Sequence, residues 1–89
     1  MTQLKELRKQ IDAIDKNIIE CIASRQKISQ QIGEFKALNN LPIFDLEREE
    51  WLKNYHANLC VENNLPYTLV AQLFDVIIEF SRKKQNNKL

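Results

Sequence analysis

Leu4, Leu7, Ile11, Ile14, Ile18, Cys21, Arg25, Ile28, Ile32 and Phe35 follow one another in steps of three and four. That spacing puts them all on one side of an α-helix as a five-heptad seam. One member of the seam, Arg25, is a cation. The pattern predicts a helix from about Thr2 to Leu38, roughly 55 Å long at about 1.5 Å per residue. A compact domain of this chain length has a radius of gyration of only about 12 Å. Such a helix overhangs its own fold, so its apolar seam calls for a partner. The arginine inside the seam calls for an anion, from a side chain or from a ligand.

Two loop signals cut the rest of the chain into further helices: Asn39-Asn40-Leu41-Pro42 and Glu62-Asn63-Asn64-Leu65-Pro66. The second helix is predicted to start near Asp45, a favourable N-cap residue, with Glu47 and Glu49 in its first turn. Its inward stripe reads Asp45, Arg48, Leu52, Tyr55, Leu59. The third is predicted to start near Pro66, with the stripe Val70, Leu73/Phe74, Ile77/Ile78, Ser81, Gln85. The tail from Lys83 to Leu89 is polar and basic, which suits a fraying helix C-terminus. No strand-like alternation of useful length occurs. The expected fold is all-α, with three helices and one domain over residues 1–89.

Composition narrows the function classes. At 89 residues with 44% hydrophobic content, the chain is a folded domain whose own core is small, so a second copy would help stabilise it. A formal net charge of +1 gives no general reason to expect nucleic acid or a membrane surface as partner. No apolar run approaches the ~18 residues of a bilayer-spanning helix, and the first residues lack the apolar stretch of a signal peptide. A cytoplasmic protein is expected. Cys21 and Cys60 form no CxxC motif and read as reduced thiols acting as small hydrophobes. With His56 the single histidine, no metal site is expected, and His56 reads as a solvated or partly packed helix residue. Trp51 and Tyr55 read as core or dimer contacts. Gly33 lies mid-helix, at a cost of about 1 kcal/mol relative to Ala. The sequence leaves open whether it serves a close helix approach or is only tolerated.

Polar groups interrupt the apolar stripe of every helix. Lys36 lies eleven residues beyond Arg25, so the two point within about 20° of one direction at a separation of roughly 16 Å along the axis. Arg48 sits on the second stripe with Glu49 beside it, and Ser81 and Gln85 continue the third. Any one of these residues alone has an ordinary explanation as a solvated charge, an N-cap or a fraying end. Together they point to a polar pocket inside a helical bundle. Its donors and cations outnumber its carboxylates, Asp45 and Glu49, which suits a small dianion carrying a hydroxyl or ether oxygen. The set holds no nucleophile–base pair and no Gly-rich phosphate loop. Arg8 is 17 residues before Arg25 and about 100° around the helix from it. If two copies of the first helix cross, Arg8 reaches the partner's pocket, giving two equivalent sites per dimer.

The ordered pattern Leu7-Arg8-x-x-Ile11-x-x-Ile14-Asp15, Arg25, Gly33-x-x-Lys36, Pro42-x-x-Asp45-x-x-Arg48-Glu49 and Ile77-Ile78-Glu79-x-Ser81-x-x-x-Gln85 resembles the all-helical chorismate mutases. The likeness runs over about residues 4–85, in a chain close in size to the small single-domain bacterial enzymes. The resemblance implies an intertwined helical-bundle homodimer whose long first helices cross. It implies the rearrangement of chorismate to prephenate by a [3,3] shift, in aromatic amino-acid biosynthesis, without cofactor or metal. Arg25 and the partner chain's Arg8 would hold the two carboxylates. Lys36 and Gln85 would hydrogen-bond the ether oxygen, and Glu49, with Lys36, would take the ring hydroxyl. Arg48 and Asp45 would shape the site, and Ser81 would line it. Two sister activities share this inventory, an isochorismate pyruvate-lyase and an aminodeoxychorismate mutase. A non-catalytic helical dimerisation module is the outside alternative.

Overall fold

The computed structural model describes residues 2–86. The chain folds into three helices: α1 Thr2–Leu38, α2 Leu46–Glu62 and α3 Tyr67–Gln85. The end of the basic tail, 87–89, lies outside the described residues. The molecule measures 57 × 30 × 16 Å with a radius of gyration of 16.5 Å, well beyond the value of about 12 Å for a compact chain of this length. The long dimension is α1. Helix α3 packs against both α1 and α2, whose backbones do not closely approach each other among the described residues.

Both connections are built from one tetrapeptide, Asn-Asn-Leu-Pro. The first asparagine of each caps its own helix: Asn39 Nδ2 donates to the Phe35 carbonyl and Asn63 Nδ2 to that of Leu59, both at 2.8 Å. The second asparagine takes the left-handed conformation, φ 55° at Asn40 and at Asn64, which asparagine tolerates better than most residues. The following leucine then donates its N–H five residues back, Leu41 to Lys36 at 2.8 Å and Leu65 to Cys60 at 2.9 Å. That bond is the signature of a Schellman C-terminus. Proline ends each motif because it cannot continue a helix. At the start of α2, Asp45 Oδ1 accepts from the Arg48 N–H at 3.0 Å, the N-cap bond expected from sequence.

The contact between α1 and α3 is made beside the seam, not by it. Among the described residues of α1, the buried positions are Ser29 and Gly33, one residue round from Ile28 and Ile32. The seam itself stays open: Leu7 is 49% exposed, Ile14 54% and Ile18 48%. Cys60 is the one buried hydrophobic residue among those described, and Cys21 is exposed, so only the Cys60 thiol behaves as a core group. On α2 the inward face carries Glu49, Leu52, His56 and Cys60, whereas Tyr55, expected on the inner stripe, is about half exposed, as is Trp51. Small side chains at Ser29 and Gly33 let α1 approach α3 more closely than isoleucine would, and on α2 Leu52 and Leu59 of the expected stripe are half-buried while Tyr55 is not.

Gly33 serves that close approach. A Cβ there would lie 2.6 Å from the Gln85 Cα and 2.8 Å from its carbonyl carbon, and would collide with the carbonyl oxygen. These are backbone atoms, so the clash cannot be relieved by a side-chain rotation. Alanine gains about 1 kcal/mol of helix propensity over glycine, but overpacking costs about 1–3 kcal/mol. Gly33→Ala is therefore expected to lower the thermal midpoint, by roughly 4–8 °C per kcal/mol of net loss in a domain of this size. A midpoint raised by the substitution would show that the approach is not tight.

Candidate active site

The α1–α3 contact organises a cavity of about 430 Å³ between the C-terminal half of α1, the start of α2 and the end of α3. On α1, Arg25, Ser29 and Lys36 lie at i, i+4 and i+11, and so share one face. Ser29 and Ser81 Oγ atoms lie 2.6 Å apart in a buried hydrogen bond, which pins α1 to α3 midway along that face. Two turns further along α1 and one along α3, Lys36 Nζ donates to Gln85 Oε1 at 2.8 Å and to the Ile43 carbonyl at 2.7 Å. An ammonium only donates, so this contact fixes the amide with its oxygen toward Lys36 and leaves the Gln85 NH₂ free to donate elsewhere. Lys36 likewise keeps one N–H beyond the two it commits.

Seven of the eight residues singled out from sequence line this cavity: Arg25, Lys36, Asp45, Arg48, Glu49, Ser81 and Gln85. The eighth, Arg8, is exposed near the far end of α1, roughly 25 Å along the axis from Arg25. It does not reach the cavity of its own chain. Arg82 and Ser29 also line the cavity, and neither was singled out. Arg82 precedes Gln85 by three residues and follows Ser81 by one, so the helical spacing of Ser81, Arg82 and Gln85 could have marked it. Ser29 was passed over because it lies beside the isoleucines of the seam.

The electrostatics of the cavity are those of a site built for an anion. Four cationic side chains, Arg25, Lys36, Arg48 and Arg82, face two carboxylates, Asp45 and Glu49. Arg25 Nη1 is buried and has no hydrogen-bond partner among the described residues. Burial first, and the nearby Arg48 charge second, lower the Arg25 pKa from its ordinary value. An unsatisfied cationic donor is costly inside a protein unless something negative meets it. The Arg48 guanidinium sits 4.6 Å from the Trp51 ring centre, a cation–π contact that holds it from outside. Glu49 pairs with Arg82 through two bonds, Arg82 Nε to Oε2 at 2.8 Å and Arg82 Nη2 to Oε1 at 2.6 Å. That pair raises the Arg82 pKa. Apolar walls come from Ile28, Ile32, Ile43, Leu52 and Ile78, which keep the local dielectric low. Among the described residues, no group of His, Cys, Asp and Glu side chains is arranged to hold a metal ion, and no helix is long and apolar enough to cross a membrane.

Three helices around a cavity lined by four cationic side chains define an all-α architecture, and comparison with known proteins specifies it further. Residues 7–86 match the chorismate mutase type II family, and the chain belongs to that family. It is 33% identical over 87 residues to the chorismate mutase of Methanocaldococcus jannaschii, an alignment covering 98% of this chain and 88% of that protein. It is 43% identical over 88 residues to the bifunctional chorismate mutase/prephenate dehydratase of Buchnera aphidicola subsp. Schizaphis graminum. There it covers 96% of this chain but spans only 23% of the bifunctional protein. A solved structure of a conserved hypothetical protein from Pyrococcus furiosus superposes with a TM-score of 0.76 at 36% identity, covering 96% of this chain and 97% of that one.

Two substitutions test these electrostatics. Arg25→Leu removes a half-buried cation with an unpartnered nitrogen, so it is expected to raise the thermal midpoint in the absence of ligand; a lower midpoint would show that Arg25 is already satisfied. His56 packs against Phe74 of α3 with ring centres 4.0 Å apart and planes tilted by 34°, and is near the Arg25 charge of α1 and the Arg48 charge of its own helix. Burial, then Arg25, then Arg48 lower its pKa from the ordinary 6.5. The unfolded chain therefore binds this proton at a higher pH than the folded one does. The resulting stability is fully present above about pH 6.5 and is lost as pH falls from there through the lowered folded value. In His56→Leu, the decline of thermal midpoint between about pH 7 and pH 5 is expected to flatten; an unchanged slope would assign the decline to other groups.

Proposed function

We propose that this chain is a chorismate mutase, converting chorismate to prephenate in aromatic amino-acid biosynthesis, and that it works as a homodimer. The observation that carries the reading is the convergence on one cavity of the cations and donors that the resemblance picks out, around a buried arginine nitrogen without a hydrogen-bond partner among the described residues. Chorismate is a dianion with an ether oxygen and a ring hydroxyl, which matches that inventory group for group. As part of the same reading the enzyme is cytoplasmic and uses no cofactor.

The reaction breaks the ether C–O bond while a C–C bond forms, in one cyclic movement of electrons. It needs no nucleophile, general acid or general base. Catalysis then has two sources: holding the compact chair-like conformer, and meeting negative charge as it develops on the ether oxygen. On the proposed assignment, Arg25 takes one carboxylate, with Arg48 beside it, and Asp45 and Ser81 complete the wall. Lys36 and Gln85 each have N–H groups left after bonding one another, and these are the donors assigned to the ether oxygen. Glu49 is assigned the ring hydroxyl.

The second copy supports two parts of the reading. The open isoleucine and leucine seam of α1 would be covered by the same helix of a partner, as self-complementary dimers require. The crossing would carry the partner's Arg8 to the other end of the cavity, where it would take the second carboxylate. Sizing in solution is expected to give twice the chain mass.

Chorismate supplied to the protein should disappear with loss of its ultraviolet absorbance and appearance of prephenate. No turnover of chorismate, with pyruvate released from isochorismate, would assign the lyase activity instead. Gln85→Glu tests the ether-oxygen donor: a carboxylate beside Lys36 donates only when protonated. The variant is expected to be slowed by about 10²–10³ at pH 8 and to recover toward pH 5, while the wild type varies little. Equal activity of the variant at both pH values would remove Gln85 from that role.

A further inference from the structure

Resting on the reading above, we propose that Arg82 is a positioning residue: it locks the Glu49 carboxylate in the orientation that receives the ring hydroxyl of the substrate. Arg82 occupies the bidentate geometry in which a guanidinium fork meets both oxygens of one carboxylate. One such contact uses a single lone pair on each oxygen. Both oxygens retain acceptor capacity, but the plane of the group is no longer free to rotate.

The fork is held in its turn. The guanidinium carbon of Arg82 lies 5.2 Å from the centre of the Phe44 ring, in the connection between α1 and α2, and the carbonyl of the neighbouring Ile43 is tied to Lys36. Glu49 from α2 and Arg82 from α3 therefore form a clamp along one wall of the cavity, with Phe44 of the loop against its outer side. The Glu49 side chain is 20% exposed and that of Arg82 40%, so the carboxylate faces inward and the guanidinium backs it from the rim.

A carboxylate inside a site for a dianion needs such a backing. Without a counter-charge, Glu49 would repel the substrate it is meant to orient. With Arg82 on its outer side, the pair presents little net charge while Glu49 still accepts a hydrogen bond. Lysine in place of arginine would keep the charge but not the planar fork.

Steady-state kinetics on four proteins decide the matter: wild type, Arg82→Met, Glu49→Ala and the double variant, with thermal midpoints recorded for each. Arg82→Met is expected to lower kcat by about tenfold, since a misaligned carboxylate reduces the population of the reactive conformer. In the Glu49→Ala background the same substitution is expected to change kcat by less than twofold, because Arg82 acts only through Glu49. Arg82→Lys is expected to resemble Arg82→Met; should Arg82→Met fold poorly, Arg82→Lys carries the same comparison. Equal losses in both backgrounds would overturn the proposal and place Arg82 on the substrate itself. A raised KM with kcat intact would overturn it too, leaving only general attraction. So would unchanged kinetics throughout. A wild type without turnover of chorismate is a separate failure: it removes the functional reading, and the assignment of Arg82 with it.

Discussion

Ser29 and Ser81 meet at 2.6 Å, and one turn away Gly33 lets α1 press against the backbone of Gln85. This crossing sets everything functional in the molecule. It is made by small residues, Ser29 and Gly33 on α1 and Ser81 on α3, so the backbones come close and the long side chains at its edges converge. Lys36 and Gln85 meet on one side of it, and Arg25 lies one turn to the other. A crossing filled by isoleucine would hold the helices further apart, and Lys36 Nζ would not reach Gln85 Oε1.

The same choice of face has a cost for the isolated chain. By giving its small polar stripe to α3, α1 leaves its apolar seam without an intramolecular partner. Cys60 is then the single buried hydrophobic residue among those described, which is far too little apolar burial for an independent domain. The proposed dimer answers this deficit with the surface the chain has in excess. It also answers a second deficit, since the cavity has four cationic neighbours of its own but lies roughly 25 Å from Arg8. Stability and chemistry would then be supplied by one association, and neither would be available to a single copy.

Much of this was legible in the sequence, for identifiable reasons. Helix boundaries were readable because the punctuation is chemically explicit: Asp45 is an N-cap by type, and proline closes both turns. The seven cavity residues could be grouped because polar residues on an apolar stripe are anomalous, and anomalies at helical spacing accumulate. What the sequence hid was the face of α1 that meets α3. Hydrophobic periodicity marks the face that must be buried somewhere, and on α1 that face is the seam, not the contact with α3. Ser29 and Gly33 lack the bulk that draws attention, and on α2 the half-buried His56 sits beside the exposed Tyr55. Arg82 was hidden for another reason: on a basic helix terminus, one functional arginine looks like the lysines beside it, and only Glu49 reaching across from α2 distinguishes it.

The claim on which the account stands is that each site is assembled from two chains, the cavity of one and Arg8 of the other. Complementation measures this directly. Arg8→Ala and Arg25→Ala chains are assayed with chorismate separately, then unfolded together and refolded as a mixture. Two nearly inactive proteins are expected, and a mixture that recovers about a quarter of wild-type activity, because half of the random dimers are hybrids and each hybrid holds one intact site. A mixture that stays silent although hybrid dimers are shown to form, or an Arg8→Ala protein as active as the wild type, would contradict it.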